Sequence, residues 1–564
     1  MKNHRLANIP GSTRIGYWAV LGLATLVLIA RLVQLQVMHR TDYRLQSDQN
    51  RIREVTLKPL RGLIYDRNGN LLVNNHPAFS LYAVPYELRR NPDLYQRIAE
   101  NVDRTPTVLK TIVQQNMRGY FQPIRLMRQV DMAVVTDIEE KRTDFPGVGF
   151  WIEPIRSFPS SARASHVLGY LGEVTTEELE ENTDVDYEPG DVIGKKGIEK
   201  IYERLLRGES GLEYVEVDAF GREVRTLKNP PKKEIKPGLN LHLTLDSELQ
   251  HVSEELMKDL RGSIVMMDLQ DGGLLSIVSK PDFDPAELSG VISTEVWDRM
   301  QYDPDHPLYD RSLQSVYPPG STFKLVLAMA AIANDVVKPS WSINCFGSYR
   351  LGRRVFKCWK PKGHGRIDLY QAIEQSCNVY FYQLGLKVGL EEWAKFSRYF
   401  LLGRKTGIDI PLESAGIVPD KKFMDERYGE GEWTRGMMLN LSVGQGDLLV
   451  TTLQMVQFAG LLAKKGVYYT PHLLQSIYDP ISDRTESHEA DSLRIESISE
   501  RAYDIVREGM RLVVNGENGT AKLARVTGVE VAGKTGTAQN PHGEDHAWFI
   551  GFGPFENPKV AIVV

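Results

Sequence analysis

The spacing of hydrophobic residues differs between parts of the chain, and the clearest difference is a continuous apolar run near the N-terminus. Residues 15–30 contain no charged side chain, and after Arg31 the apolar run continues to Val37. With its flanks, this run reaches the roughly 20 residues that a helix needs to cross a bilayer. Basic residues precede it, among them Arg5 and Arg14, and such residues favour the cytoplasmic side.

A cleaved signal peptide is the alternative for this segment. The residues that follow the run, RLVQLQVMHRTDY, contain no small-x-small cleavage site. We therefore expect an uncleaved transmembrane anchor over 15–38 behind a cytoplasmic tail of 1–14. The rest of the chain would lie outside the membrane.

Residues 39–235 are polar and mixed, and they are expected to form one domain that we call the pedestal. An apolar run at 79–86 is typical of a strand, and runs at 92–102 and 134–141 are typical of helices. Residues 228–238 are rich in Pro and Lys, which is typical of a linker.

The pattern after the linker predicts an α+β domain over 236–564, with an antiparallel sheet flanked by helices. Its predicted elements are a strand at 239–246, a helix from Ser247, a hairpin of strands 262–269 and 272–280, a mostly helical middle over about 320–465 and a late strand at 529–537. The sequence stops at Val564 within a strand-like run, so we expect further residues in the native protein.

The length and net charge of the chain indicate several folded domains and a partner other than nucleic acid. A chain of 564 residues is too long for a single core, and its 42% apolar and 25% charged residues are ordinary for folded domains. A net charge of -5 argues against nucleic acid as a partner.

Ser321 is the first candidate for chemistry. It follows Pro-Pro-Gly and precedes an apolar helical run, so it should lie at a helix N-terminus, where the helix dipole favours an alkoxide. Lys324 shares its helix face, and a desolvated lysine can lose its proton and act as a base. Alone, S-x-x-K is a weak signal, because an N-cap serine beside a surface lysine has the same pattern.

Two later motifs make the pattern specific. Ser376-Cys377-Asn378 lies between two helical runs, and Lys534-Thr535-Gly536-Thr537 belongs to the late strand. The order S-x-x-K, S-x-N, K-T-G, at spacings of about 50 and 160 residues, is the signature of penicillin-recognising serine enzymes.

Chemistry assigns roles to the first two motifs. Ser321 would attack a carbonyl and become acylated, and Lys324 would accept its proton. Ser376 would pass the proton to the leaving amine, and Asn378 would hold the substrate amide.

The third motif would complete the site. Lys534 would supply positive charge for a substrate carboxylate or for the proton relay. Thr535 and Gly536 would border the substrate, since Gly536 leaves room for an extended peptide to pair with the strand. The backbone N–H groups of Ser321 and Thr537 would form the oxyanion hole.

Further segments resemble the class B penicillin-binding proteins, from the anchor to residue 564. They are RGLIYDRNG (61–69), GKKGIEKIYE (194–203) with Arg207-Gly208, DAFGR (218–222) and SVGQG (442–446) with TLQM (452–455). Within that class, Tyr317-Pro-Pro-Gly, WKPKGHG (359–365) and HAWF (546–549) are similar to the members that act in cell elongation.

The resemblance implies a serine-type peptidoglycan D,D-transpeptidase of the bacterial inner membrane. Such an enzyme takes the D-Ala-D-Ala end of one stem peptide, releases the terminal D-Ala and passes the acyl group to an amine of a neighbouring stem. β-Lactams would acylate Ser321. The implied partners are a SEDS-type membrane glycosyltransferase of the elongation machinery, contacted by anchor and pedestal, and its scaffold proteins. No cofactor is expected for catalysis.

The three cysteines lie close together in sequence, with a histidine among them. Cys345, Cys358, His364 and Cys377 form the pattern C-x12-C-x5-H-x12-C, and three thiols with one imidazole suit a tetrahedral structural Zn²⁺. One disulfide plus a free thiol is the alternative. Elongation-type members resemble this chain in having a metal site near the active-site entrance, with carboxylates at some ligand positions; Cys345 matches least well.

The sequence also leaves alternatives for four other residues and for the function. Asp66 and Arg67 lie in Asp-Arg-Asn-Gly, which favours a structural turn over catalysis. His546 and Trp548 either line the acceptor side of the cleft or pack. A D,D-carboxypeptidase or a β-lactamase would share the three motifs, but the large pedestal and retained anchor argue against both. A non-enzymatic β-lactam sensor or scaffold would need further spans or a cytoplasmic output domain.

Overall fold

The computed structural model describes residues 11–35, 52–117, 119–217, 223–226, 233–290, 292–540 and 543–564. Three sequence predictions therefore lie wholly or partly outside the described residues: the tail and the end of the anchor, the DAFGR segment at 218–222, and the first part, 228–232, of the linker at 228–238.

The described chain divides into two compact units that cut across the predicted boundary at 235/236. One comprises 1–59, 80–151 and 209–236, and the other 60–79, 152–208 and 237–564. The predicted domain boundaries stay predictions.

The first unit contains the apolar N-terminal helix, Gly11–Val33. Its residues Gly16–Val33 have a mean hydropathy of 1.8, and within the described ranges this is the one helix long and apolar enough to cross a membrane. A three-stranded antiparallel sheet follows in the order Ile52–Leu57, Gly211–Val217, Glu223–Thr226.

The rest of the first unit is a small α+β core. Its elements are helices Pro85–Arg90, Leu94–Asn101, Pro106–Asn116 and Met132–Glu140 and strand Ile124–Val130, with strands Leu71–Ala83 and Val148–Ser157 each having one end in this unit. The helices predicted at 92–102 and 134–141 are confirmed. The strand predicted at 79–86 ends at Ala83, because Pro85 begins a helix at a position where its missing N–H costs nothing.

The second unit is built on a five-stranded antiparallel sheet. Its strands are β1 (Gly262–Asp268), β2 (Leu274–Lys280), β3 (Ala532–Ala538), β4 (His546–Gly553) and β5 (Val560–Val563), in the spatial order β2-β1-β5-β4-β3. The predicted hairpin is confirmed, with Gly262 opposite Lys280. β3 occupies one edge of the sheet.

Helices cover this sheet and form the core of the unit. We label α1 (Lys324–Ala333), α2 (Leu369–Glu374), α3 (Asn378–Tyr399), α4 (Thr452–Ala463) and α5 (Glu500–Asn515). Every residue of α4 is buried, and it packs on β1, β4 and β5, while α5 packs on β3. These contacts confirm the predicted α+β class.

The predicted middle, 320–465, is less helical than expected. Besides its helices it contains one small antiparallel strand pair, Ile343–Cys345 with Gly365–Ile367, and one small hairpin, Ser348–Leu351 with Arg354–Lys357. These strands are only three or four residues long. That is too short for a two-residue hydrophobic period to be recognised in the sequence.

The remaining elements of the second unit are short. They are strands Ile64–Tyr65, Leu171–Glu173, Val192–Gly194, Asn240–Leu243, Val467–Tyr469, Leu474–Asp479, Arg484–Ser487 and Ser492–Arg494, and helices Ser165–Leu168, Thr176–Glu181, Gly197–Ile201, Glu203–Arg207, Ser247–Leu256, Thr294–Gln301, Lys421–Tyr428 and Arg435–Ser442. Helix Ser247–Leu256 begins where predicted, with the Asp246 carboxylate as its N-cap.

A buried ion network lies inside the second unit, around Arg61. Its guanidinium donates to Glu199 Oε2 at 2.7 Å and to Glu203 Oε2 at 2.6 Å, while Arg156 Nε donates to Glu199 Oε1 at 2.8 Å. Burial disfavours the charge on Glu199, but Arg156 and Arg61 outweigh it and lower the pKa of that carboxyl. The network joins two of the segments on which the family resemblance rests.

Asp66 forms the structural turn predicted for it. Its Oδ1 accepts the backbone N–H groups of Asn68 and Asn70, each at 2.8 Å, and Gly69 takes a φ of +84°. Its Oδ2 accepts the Ser247 hydroxyl at 2.6 Å, so the turn is tied to a helix N-terminus.

Candidate functional site

Ser321 lies in a single 3₁₀ turn, Gly320–Phe323, that runs directly into α1. The prediction of a helix N-terminus is therefore confirmed. Gly320 has a φ of +56°, and a Cβ there would lie 2.7 Å from the carbonyl oxygen of Thr537. Gly444 makes a second close approach, since its Cβ would lie 2.0 Å from the Gly320 carbonyl oxygen. The turn that carries Ser321 is thus held tightly against β3.

Lys324 is fully buried, and its amine is surrounded by oxygen atoms of the S-x-N motif. Its Nζ donates to the Ser376 carbonyl at 2.8 Å and to Asn378 Oδ1 at 2.7 Å, and lies 3.2 Å from Ser376 Oγ. None of these partners is an anion. Burial lowers the pKa of Lys324 to about 8, although the nearby thiols of Cys377 and Cys358 act to raise it.

Ser376 and Asn378 lie at the junction of two helices, as the sequence predicted. α2 ends at Glu374, α3 begins at Asn378, and Ser376 between them has a φ of +53°. A non-glycine residue in the left-handed region is strained, and such strain is concentrated at functional sites. The strained turn directs the Ser376 carbonyl and hydroxyl toward Lys324.

Lys534 lies within β3 and is also fully buried. Its Nζ donates to the Thr535 carbonyl at 2.8 Å. Burial, and then the charge of Lys324, lower its pKa well below the ordinary value, so the neutral amine is favoured. The lowered pKa runs against the positive charge that both predicted roles assign to Lys534, and its part in the site stays a prediction.

The other residues of the third motif face different surroundings. Thr535 Oγ1 lies 2.7 Å from Thr520 Oγ1, and Thr537 is exposed. A Cβ on Gly536 would lie 2.9 Å from the Pro319 carbonyl oxygen and 3.1 Å from Trp548 Cβ. The space beside Gly536 is thus filled by the turn before Ser321; its part in substrate pairing stays a prediction.

A cleft of about 590 Å³ brings the three motifs together. It is lined by Ser321, Ser376, Asn378, Thr535, Gly536 and Thr537, by Gln445 of the SVGQG segment, and also by residues that the motifs did not indicate, among them Lys357, Tyr382, Asn440 and Thr520. No local sequence pattern marks this second group, because these residues reach the cleft only through the packing of distant segments.

Trp548 and His546 contact the segment before the nucleophile. Trp548 Nε1 donates to the Pro318 carbonyl at 3.0 Å, and the Tyr317 ring lies 4.8 Å from that of His546. These contacts favour the packing alternative for both residues.

The Cys/His cluster forms as the spacing predicted, and it includes Cys345. The ligand atoms of Cys345, Cys358, His364 and Cys377 all lie within 4.8 Å of one another, and the three cysteines are free thiols. Cys358 Sγ lies 3.6 Å from His364 Nδ1. His364 Nε2 is buried without a hydrogen-bond partner.

The loops around the cluster are closely packed. A Cβ on Gly347 would lie 1.9 Å from the Pro361 carbonyl oxygen, and a Cβ on Gly363 would lie 2.0 Å from that of Cys345. Contact with the Cys377 thiol and with His364 lowers the pKa of Cys358, which favours a thiolate. Three thiols and an imidazole at these separations could hold a metal ion.

Comparisons with known proteins show the family of the chain. Residues 262–564 match the family model described as the penicillin binding protein transpeptidase domain, and residues 56–243 match the penicillin-binding protein dimerisation domain. The chain is 33% identical to the peptidoglycan D,D-transpeptidase MrdA of Haemophilus influenzae, over 98% of this chain and 87% of that protein.

Solved structures show the same architecture. PBP2 in a complex with MreC from Helicobacter pylori is similar with a TM-score of 0.78 and 31% identity, over 91% of this chain and 94% of that one. A chain in a peptidoglycan synthase complex that coordinates polymerization and crosslinking has a TM-score of 0.72 and 26% identity, over 98% and 94%.

Proposed function

The chain belongs to the penicillin-binding proteins, as a peptidoglycan D,D-transpeptidase that cross-links the cell wall, and from that premise we propose that Ser321 is its nucleophile. The observation that carries the proposal is the surroundings of Lys324. A neutral amine has two N–H donors and one lone pair. The Ser376 carbonyl and Asn378 Oδ1 accept the two donors, which leaves the lone pair to take a proton.

In the proposed acylation, Ser321 Oγ attacks the carbonyl carbon of the penultimate D-Ala. Its proton passes to Lys324 Nζ, and the developing oxyanion is stabilised by the backbone N–H groups of Ser321 and Thr537. The proton then moves through the Ser376 hydroxyl to the leaving amine, and the terminal D-Ala departs. An amine of a second stem peptide reverses these steps and takes the acyl group.

Lys534 and the edge of β3 would support this sequence. Lys534 Nζ donates to the Thr535 carbonyl and would hold this part of β3 in place beside the cleft. An extended donor peptide would add to the edge strand β3 next to Ser321. Asn378 would hold the amide of that peptide.

The test of the nucleophile is covalent labelling by a fluorescent penicillin. We expect Ser321→Ala to abolish labelling, and Ser492→Ala, a change of an exposed serine in the same unit, to leave it intact. Labelling of the Ser321→Ala chain at the wild-type level would refute the assignment.

For the Cys/His cluster we propose one structural Zn²⁺. Cys345, Cys358, His364 and Cys377 would hold it, and its chemistry would be to brace the loops beside the S-x-N motif, since Cys377 lies between Ser376 and Asn378. Metal analysis of the purified chain should give about one zinc per molecule. A disulfide among the three cysteines would contradict the proposal.

We also propose the setting of the enzyme. The N-terminal helix would cross the inner membrane once and leave the catalytic unit on the outer side, where a membrane glycosyltransferase and scaffold proteins of the elongation machinery would bind anchor and pedestal. The complexes in which similar chains were solved support such partners. Replacing Gly11–Val33 by an unrelated membrane-spanning helix should reduce co-purification of the glycosyltransferase. Undiminished co-purification would exclude the anchor as a contact.

A further inference from the structure

One stretch of the second unit is cationic throughout. Residues 346–367 contain no Asp or Glu, in a chain whose net charge is -5. The seven basic residues of the stretch are Arg350, Arg353, Arg354, Lys357, Lys360, Lys362 and Arg366. Most of them belong to the hairpin Ser348–Leu351/Arg354–Lys357 or to the loop after it; we call this pair of strands the basic hairpin.

All seven side chains are exposed, and none of them forms an ion pair with another described residue. Other exposed cations of the same unit behave differently. Lys395 pairs with Glu392 at 3.3 Å, and Arg398 pairs with Asp420. The charge of the basic hairpin is therefore not neutralised by the described part of the chain.

The strand register directs part of this charge to the catalytic cleft. Arg350 lies opposite Val355, and Lys357 lies opposite Ser348, so these residues share one face of the basic hairpin. Val355 and Lys357 line the same cleft as Ser321. The alternate residues, such as Tyr349, pack against the hydrophobic core.

Lys357 is positioned by the catalytic motif itself. Its carbonyl oxygen accepts Asn378 Nδ2 at 3.4 Å and the Tyr382 hydroxyl at 3.2 Å. Beyond it, Trp359 is 56% exposed, yet its Nε1 donates to the Gln375 carbonyl at 3.0 Å, which holds the ring in place. A fixed exposed aromatic ring beside unpaired cations is typical of a peptide-binding surface.

From these contacts we propose that Lys357, with Arg350 beside it, binds carboxylates of an acidic peptide substrate in the cleft. The substrate class is a D-Ala-D-Ala peptide that carries at least one carboxylate besides its terminal one. Charge complementarity carries the choice, because Lys357 is the one Lys or Arg among the residues that line the cleft and forms no ion pair with a described residue, Asp545 of the same lining included. The inference rests on the proposed function and adds to it the chemistry that the cleft selects.

The test compares two synthetic peptides ending in D-Ala-D-Ala, one with a side-chain carboxylate and one with the matching carboxamide. The full-length chain in detergent is assayed for kcat/KM of D-Ala release. We expect a preference of about tenfold for the carboxylate peptide, the size of one charge-assisted contact, declining as salt is added. Lys357→Gln should reduce this preference to about twofold or less, and Lys357→Glu should reverse it.

Two control variants separate charge from structure. Lys357→Arg keeps the cation and should keep the preference. Arg353→Gln removes one charge at the turn of the basic hairpin and should also keep it. Damage to the catalytic centre lowers the rates for both peptides together and leaves their ratio unchanged.

Two outcomes would overturn the proposal: a ratio that stays at the wild-type value in Lys357→Gln, or a wild-type enzyme that does not prefer the carboxylate peptide. Failure of the nucleophile assignment would show separately, as D-Ala release that survives in Ser321→Ala.

Discussion

Two buried polar centres of the second unit differ in whether their charged groups have partners of opposite charge. Around Arg61, cations and carboxylates are matched, and Glu199 accepts hydrogen bonds from both Arg61 and Arg156. Around Lys324 no carboxylate is present among its hydrogen-bond partners, and the amine contacts a carbonyl, an amide oxygen and a hydroxyl.

The difference appears in the proton affinities. Burial opposes the charge of Arg61, but Glu199 and Glu203 outweigh it and raise its pKa, so the ion stays charged. Burial lowers the pKa of Lys324 to about 8, since only weak opposition comes from the thiols of Cys377 and Cys358. A matched network keeps its charges and joins segments, whereas an unmatched buried amine is ready to exchange a proton. The contrast separates a structural centre from the proposed catalytic one.

The largest effect is expected from a substitution that disrupts the Lys324 centre and leaves the Arg61 network intact. Lys324→Met removes the amine and retains an unbranched side chain, so we expect acylation by penicillin to slow about a thousandfold, the loss of a general base. The thermal midpoint should stay the same or rise, because a buried polar group is removed. Stopped-flow acylation and thermal unfolding measure the two effects. A normal rate would mean that another group accepts the Ser321 proton.

A substitution in the Arg61 network should lower the stability of the protein and change the acylation rate little. Glu199→Gln leaves Arg61 and Arg156 buried with one compensating charge fewer, which costs about 3–5 kcal/mol of unfolding free energy. Chemical denaturation followed by tryptophan fluorescence measures the loss. The acylation rate per folded molecule should change much less than in Lys324→Met; an equal change would contradict the separation of the two centres.

A conservative substitution of Arg61 should cause a smaller loss of unfolding free energy. Arg61→Lys keeps the charge but loses the planar fork that reaches Glu199 and Glu203 together, so we expect a cost of about 2 kcal/mol. Arg89→Lys, at an exposed arginine of the other unit, serves as the matched control. A loss as large as that of Glu199→Gln would show that geometry, not charge, holds the network.

The smallest predicted effect is a pH dependence. Below pH 8 Lys324 is an ammonium without a lone pair, and above it the neutral base prevails, so the acylation rate should rise with pH through a midpoint near 8. Between pH 7 and 9 the increase should be about tenfold. Glu199→Gln should leave this midpoint unchanged. A rate that is flat or falls over this range would exclude Lys324 as the titrating base.

Much of the site could be predicted, because its chemistry is concentrated in short motifs. The positions of Ser321 at a helix start and of Ser376 between two helices follow from local proline, glycine and capping patterns. The basic hairpin and the contribution of Lys357 could not be predicted in the same way. Its strands are too short for a hydrophobic period, and its face toward the cleft depends on packing against residues far away in sequence.

The sequence by itself determined the apolar N-terminal helix, the order of the three motifs and the membership of Cys345, Cys358, His364 and Cys377 in one cluster, because each is a local pattern of residue types. Only the tertiary structure decided that Lys324 and Lys534 are fully buried, which lowers the pKa of both, and that the turn before Ser321 fills the space beside Gly536. The physical reason is that a pKa and a close approach depend on which distant segments exclude water from a group. Sequence spacing does not contain that information.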